Sequence, residues 1–364
     1  MTNREKFLSI MNYEQTKKIP VVHFGYWNET LDKWRAEGHI KDGEGEYEVS
    51  RDLGFDFGYG SCFGGNTGLS PGFETKVIQE FPDGSKHILS HEGVVELHKP
   101  GLVSIPSEID HTLKDRASWE EHYLPRLQFS ENRYNNFDWV KDLNESSDPV
   151  GFWGGTLYGN IRTWFGVVGL SYIAADDPDL YDEVIQTVGN LTYQAIKYGL
   201  EKCTAMGIKF DFLHMWEDIC YNNGPLVHPA VFAEKVGPIY KKITNLAKEH
   251  GINIISLDCD GKIDALIPTW LENGVNTMFP IEVGTWEASI TPWREKYGKQ
   301  ILGVGGMDKR VFALDKNAVD AEIARLKKLT ELGGFIPCPD HRIAPDAKYE
   351  LVKYYCERMK EVFA

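Results

Sequence analysis

From about residue 149 to its end, the chain alternates short apolar runs with longer amphipathic stretches, and this rhythm restricts the fold more than any other feature. Strand-like runs fall at 150–154, 210–215, 252–257, 275–281, 300–304 and 334–337. Helical patterns lie between them, at about 177–206, 229–250, 262–273, 286–297 and 316–332, with a last helix from about 345. Strands that alternate with amphipathic helices form parallel βαβ units. Two earlier apolar runs, at 19–27 and 54–59, read as buried strands, and residues 3–12 as a short helix. About eight such units suit a (β/α)8 TIM barrel better than an open sheet. Local signals agree. Asp177 followed by Pro178 marks a helix start, and Pro229 and Gly251 bracket another helix.

Between 75 and 105 the pattern changes. TKVIQEF, PDGS and KHILS follow one another and read as a β-hairpin, because the turn residues supply the special dihedrals. The region of about 60–148 is therefore expected to form a small β insertion over the barrel mouth. Ser118 followed by Glu121 is a capping-box pattern opening a short helix. No internal repeat, low-complexity tract or linker interrupts the chain, which implies one domain over 1–364.

Charge and composition exclude some partners. The formal net charge is −15, which disfavours nucleic acid and anionic membrane surfaces, since both reward basic patches. No run of about eighteen apolar residues is present, so no membrane span is expected. The opening MTNREKFL is charged and helical in pattern, unlike a signal peptide. The six cysteines form no CxxC pair and read as reduced thiols of a cytoplasmic protein.

The ends of the later strands carry the chemistry. IISL leads into Asp258-Cys259-Asp260-Gly261, TMFP into Ile281-Glu282, and GGFIP into Cys338-Pro339-Asp340-His341. A side chain at the C-terminal mouth of a parallel strand points into the common cleft. Asp258, Asp260, Glu282 and His341 are thus candidate ligands of one divalent metal, whose charge would relieve the repulsion among three carboxylates. Each has a plainer reading. Asp258 and Asp260 could cap the helix after Gly261. Glu282 could pair with Arg294 or Lys309, and His341 could hydrogen-bond Asp340. Cys259 and Cys338 read as buried small apolar residues, with sulfur ligation as the alternative. Glu217 and Asp218, after the strand at 210–215, are candidate proton-transfer residues or an acid pair at a helix N-terminus. Tyr26, Trp27, Trp153, Trp164 and Trp216 could wall a flat substrate ring, although each tryptophan also suits a core.

NREKFLSIM at 3–11 with KIPV at 18–21, Trp216-Glu217-Asp218 with NGPL at 223–226, and IAPDAKYELVKYYCE at 343–357 together resemble the uroporphyrinogen decarboxylase superfamily. The likeness covers most of the chain and is weak over about 60–148. It implies a (β/α)8 barrel with its site at the strand C-termini. True decarboxylases carry an Arg-rich segment after the first strand; here the place reads HFGYWNE, with no cation to hold porphyrinogen propionates. The other branch comprises zinc methyltransferases that work with corrinoid proteins, through a His-x-Cys-Gly motif and a distant Cys. Those positions fall on Asp258, Asp260 and His341, so the positions are kept and the ligand types changed. The resemblance implies Zn2+, with Mg2+ or Mn2+ admitted by oxygen ligands. It implies a small methoxylated aromatic as methyl donor, in the manner of O-demethylase methyltransferases, and cobalamin carried by a partner corrinoid protein, since the chain has no Asp-x-His-x-x-Gly module. Related barrels often pair, which leaves a homodimer open. A metal-assisted decarboxylase or lyase acting on a small acid, and a barrel that binds a small ligand without turnover, are the competing functions.

Overall fold

The computed structural model describes residues 1–14, 16–101 and 105–364; residues 102–104, within the expected insertion, lie outside the described set. Eight staves make a (β/α)8 barrel. They are β1 (Val22–His23), the pair β2 (Phe57–Gly58) and β3 (Cys62–Phe63) that share one stave, β8 (Gly151–Trp153), β9 (Phe212–Trp216), β12 (Ile254–Asp258), β13 (Thr277–Ile281), β14 (Leu302–Met307) and β15 (Phe335–Pro339). Neighbours pair in parallel from β3 through β8, β9, β12, β13 and β14 to β15. The ring closes beyond β1, where Trp27 N donates to Ile343 O (3.1 Å) and Ile343 N to Gly25 O (3.0 Å).

The second stave is unusual. Its first half pairs only with β1, and its second half only with β8. Among the described residues, no backbone hydrogen bond joins 57–61 to 146–150.

The helix Asn3–Met11, with a capping box of Thr2 and Glu5, lies under the N-terminal end of the barrel. Arg4 N bonds Ser147 O, and the carbonyl of Ile10 receives Gly334 N. Phe7 enters the barrel floor, 5.5 Å from the ring of Phe212, which stacks on Tyr59 at 5.4 Å. Truncating so buried a ring typically costs about 3–5 kcal/mol. Above this layer His214 pairs with Ser256 across the β9–β12 register and abuts Phe279; Trp216 and Asp258 form the rim.

The insertion is a four-stranded antiparallel sheet: β4 (Lys76–Glu80), β5 (Lys86–Leu89), β6 (Val94–His98) and β7 (Ser107–His111). The expected hairpin is its first pair. Short helical turns follow. The first is capped by Asp115, with Ser118 as its third residue, so Ser118 is the reciprocal partner in the box and not its opener. The helix expected over 229–250 is two, Pro229–Lys235 and Gly237–Glu249, because Pro238 cannot continue the first. A helical stretch Tyr158–Asp176 precedes the expected helix Pro178–Ala205 and is kinked at Gly166 (φ 66°), where a Cβ would strike the His111 ring. A small ribbon, β10 (Cys220–Tyr221) with β11 (Gly224–Pro225), follows β9. Among the described residues no helix is long and apolar enough to cross a membrane.

Candidate active site

Parallel strands deliver their last residues to one rim, and here that rim is acidic. Asp258 ends β12, and Asp260 follows it two residues later. Glu282 follows β13 and His341 lies just beyond β15. His341 Nε2 stands 3.3 Å from Asp260 Oδ2. Glu282 Oε2 accepts from Gly261 N (2.5 Å) and its Oε1 from Thr285 Oγ1 (2.8 Å). The other carboxylate oxygen of Asp260 is buried without a hydrogen-bond partner among the described residues.

Two spaces adjoin these groups. A cavity of about 350 Å3 in the barrel mouth is lined by Trp153, Trp216, His214, Asp258 and Arg342. A cleft of about 250 Å3 is lined by Asp218, Asp260, Glu282 and Arg162. Asp258 therefore faces the cavity, while Asp260 and Glu282 face the cleft, with His341 against Asp260. Among the described residues, no three His, Cys, Asp or Glu side chains already surround a common point as ligands.

Burial and mutual repulsion dominate the electrostatics. Burial holds Asp258 well above the ordinary carboxylate range; Asp260 and Asp218 push it further, and Arg342 opposes them. Burial also raises Glu282, helped by Asp260 and opposed by the bonds from Gly261 and Thr285. Burial lowers the Lys309 ammonium, against the pull of Asp340 and Glu282.

The plainer readings of the ligand set meet the structure unevenly; Lys309 does feel Glu282, as one of them expects. The helix after Gly261 begins at Ile267, too late for Asp258 or Asp260 to cap. Arg294 serves the carbonyls of Leu332, Gly333 and Ile301 instead of Glu282. Asp340 accepts from Gly284 N and Lys309 N, and His341 turns to Asp260. Cys259 and Cys338 are buried, and the Cys259 sulfur accepts from Ile219 N (3.5 Å).

Glu217 and Asp218 part company. Glu217 is wholly buried behind the wall, accepting from Leu157 N (3.2 Å), Gly159 N (2.7 Å) and the Tyr240 hydroxyl. Burial pushes its carboxyl up to about 7 despite those three donors. It caps a helix from sixty residues away and lines neither the cavity nor the cleft. Asp218, at φ 44°, faces the cleft and accepts from Arg162 Nη2 (2.7 Å). Arg162 also reaches Glu108 of β7 (3.6 Å), which brings the insertion to the mouth.

Of the five expected ring-binding residues, Trp153 and Trp216 line the cavity and Trp27 stacks on His341 at 5.5 Å. Tyr26 points into the core, against Ser50 and Trp34, because it alternates in direction with Trp27. Trp164 is buried beneath the insertion, with its indole N–H on Glu92. Neither Tyr26 nor Trp164 lines the cavity or the cleft.

No protein-family model matches the chain, and no curated protein does. Among solved structures, one superposes over 100% of both chains with a TM-score of 0.58 at 14% identity: a methyltransferase from Methanosarcina mazei. The chain shares its fold. A B12-independent methionine synthase from Shewanella sp. W3-18-1 covers 94% of this chain and 98% of its own at 11% identity, with a TM-score of 0.45, and adds nothing to that statement.

Sequence reasoning missed His23, His214 and Arg342. His214 Nδ1 lies 3.1 Å from Ser256 Oγ, and burial lowers both His23 and His214 to about 4, so both are neutral imidazoles. Their signal was present as a histidine inside an otherwise apolar strand. Arg342 had a weaker one, its place beside His341.

Proposed function

We propose that the chain is a metal-dependent methyltransferase that moves a methyl group from a small methoxylated aromatic to the cob(I)alamin of a separate corrinoid protein. The observation that carries this reading is the acidic rim, where Asp260 and Glu282 line one cleft with His341 3.3 Å from Asp260, and Asp258 lines the adjoining cavity with its tryptophan walls. The resemblance of the chain's first, middle and last segments to the uroporphyrinogen decarboxylase superfamily supports it, as do the absence of a propionate-binding cation after the first strand and the shared fold.

The donor set fits a hard divalent cation. It offers carboxylate oxygens and one imidazole, suited to Zn2+ and compatible with Mg2+ or Mn2+. The partnerless buried oxygen of Asp260 and the strongly raised Asp258 are what clustered acids look like without a compensating charge. Asp260, Glu282 and His341 would hold the ion, with Asp258 reaching from the cavity side, once the His341–Asp260 contact opens. When bound, the ion would supply Lewis acidity at the ether oxygen.

The chain's own residues would do the rest. Trp153 and Trp216 hold the ring against the rim, and Trp27 keeps His341 in place. Asp218, which burial raises and Arg162 opposes, lies in the cleft where it could handle the proton on the product phenol. Asp218, not Glu217, takes this role because only Asp218 faces the cleft. The corrinoid must arrive on a partner that docks at the rim.

The test supplies purified protein with Zn2+, a reduced corrinoid protein and 2-methoxyphenol. Release of catechol with equimolar methylated corrinoid is expected; their absence with every divalent metal overturns the reading. A second reading, a lyase acting on a small acid, draws on Arg342 in the cavity wall, which could bind a carboxylate. Release of CO2 without methylated corrinoid would favour it.

A further inference from the structure

The interrupted stave has a space beside it. A cleft of about 580 Å3 lies on the side of the barrel, between the helix Glu46–Leu53 and the segment leading into β8. It occupies the stretch where no ladder joins 57–61 to 146–150. His23, Glu46, Gly58 and Ser61 line both this cleft and the mouth cavity, so the wall between the two spaces is one residue layer thick there. Gly58 and Ser61 belong to or flank a barrel stave and are nonetheless exposed.

The walls are aromatic. Phe55, Phe57 and Phe63 form the floor, and Tyr47 and Trp139 the rim. Trp139 rests edge-on against Phe63 at 5.1 Å and is 56% exposed; Tyr47 is 75% exposed. Large aromatic surfaces of this kind, left open around a concavity, are typical of ligand sites. The inner end is polar. His23 Nδ1 accepts from Gly25 N (3.0 Å), which leaves the ring proton on Nε2, the atom beside Gly58. No described residue accepts from Nε2.

The acids of the cleft are already engaged. Asp56 accepts from Val21 N and lies 3.8 Å from Lys6, Asp148 accepts from Asn3, and Glu46 feels Arg342. Arg51 is turned to Asp52. Glu46, Asp56 and Asp148 against Arg51 leave the lining acidic, which disfavours an anion, and Asp56, Asp148 and Arg51 already meet protein partners; a donor and flat walls select a ring bearing an oxygen acceptor.

We infer that this lateral cleft is a second binding site, for small uncharged aromatic molecules with a hydroxyl or ether oxygen, which stack on Trp139 and the phenylalanines and accept from His23 Nε2. The inference stands apart from the chemistry assigned to the mouth, and its test needs no methyl transfer.

Crystals of the full chain are soaked with 4-iodophenol, and binding is measured in solution by calorimetry. Anomalous iodine signal between Trp139 and Phe57 is expected. Trp139→Ala, an exposed change that leaves the core intact, should weaken binding about tenfold, as loss of one aromatic stack does. Ser61→Trp, which fills the inner end of the cleft where the hydroxyl would lie, should displace the ligand and its iodine signal. 4-Iodobenzoate and protonated 4-iodobenzylamine should bind at least tenfold more weakly. Iodine found only in the mouth cavity, or an affinity indifferent to both substitutions, overturns the site. Tighter binding of either charged analogue overturns the ligand class.

Discussion

Glu217 and Asp218 are adjacent in sequence and face opposite sides of the barrel wall. Glu217 accepts from Leu157 N and Gly159 N in the helix layer, and Asp218 meets Arg162 in the mouth. One acid holds a helix start and the other lines the cleft in a pair with Arg162. Glu217→Gln presents an amide N–H where Glu217 now accepts, so the variant should lose about 1–3 kcal/mol of stability in urea unfolding. Asp218→Asn should unfold near wild type, because a partly exposed ion pair contributes little. It should lose about a hundredfold in methyl transfer, within the range of a missing general acid. Equal losses of activity in the two variants, with stability preserved in both, would contradict this division.

The backbone at Asp218 sharpens that assignment. Its φ of 44° lies in the left-handed region, which Asn tolerates better than Ala. Asp218→Ala should therefore be less stable than Asp218→Asn by about 1 kcal/mol, read as a difference in midpoint of denaturation at constant m-value.

Removing donors tests the metal reading. Asp260→Ala and His341→Ala should each lower bound zinc well below one equivalent, measured by elemental analysis after dialysis. Methyl transfer should fall by about a hundredfold or more, since a Lewis acid contributes several kcal/mol. Glu217→Gln should keep its metal. Full zinc occupancy in both donor variants would remove this pair from the ligand set.

Acid should expose the buried histidines. His214 ordinarily titrates near 6.5 and here near 4, so the unfolded chain binds the extra proton between those values. Stability from His214 is present above about 6.5 and is lost as pH falls towards 4, up to about 3 kcal/mol. Glu217 acts in the opposite direction. Raised to about 7, it contributes stability below about 4.5 that is lost as pH rises through 7. The comparison must therefore be made between wild type and His214→Gln at each pH. The wild type should gain on the variant from pH 4 to 6.5; a constant gap would show that His214 titrates normally.

The barrel was legible because β/α alternation is a long-range pattern, repeated enough to survive local error. Strand limits slipped by about two residues, as at β12, where Ile252 is buried before the ladder starts at Ile254. The helical stretch Tyr158–Asp176 went unread because its glycines and the kink at Gly166 break the 3.6-residue period. The rim acids could be anticipated, since strand ends declare themselves by where the apolar runs stop. Direction could not. Tyr26 against Trp27, and Glu217 against Asp218, differ by one residue and so by the face they present. The left-handed turn at Asp218 leaves no mark in composition, and the histidines were overlooked because they sit inside runs that otherwise announce only a core.

The stave that changes partners midway leaves the barrel wall thin, with His23, Glu46, Gly58 and Ser61 facing both the mouth and the flank. Anything that covered the rim would leave the flank open. A molecule held at the flank would then touch the same four residues that a substrate meets from above.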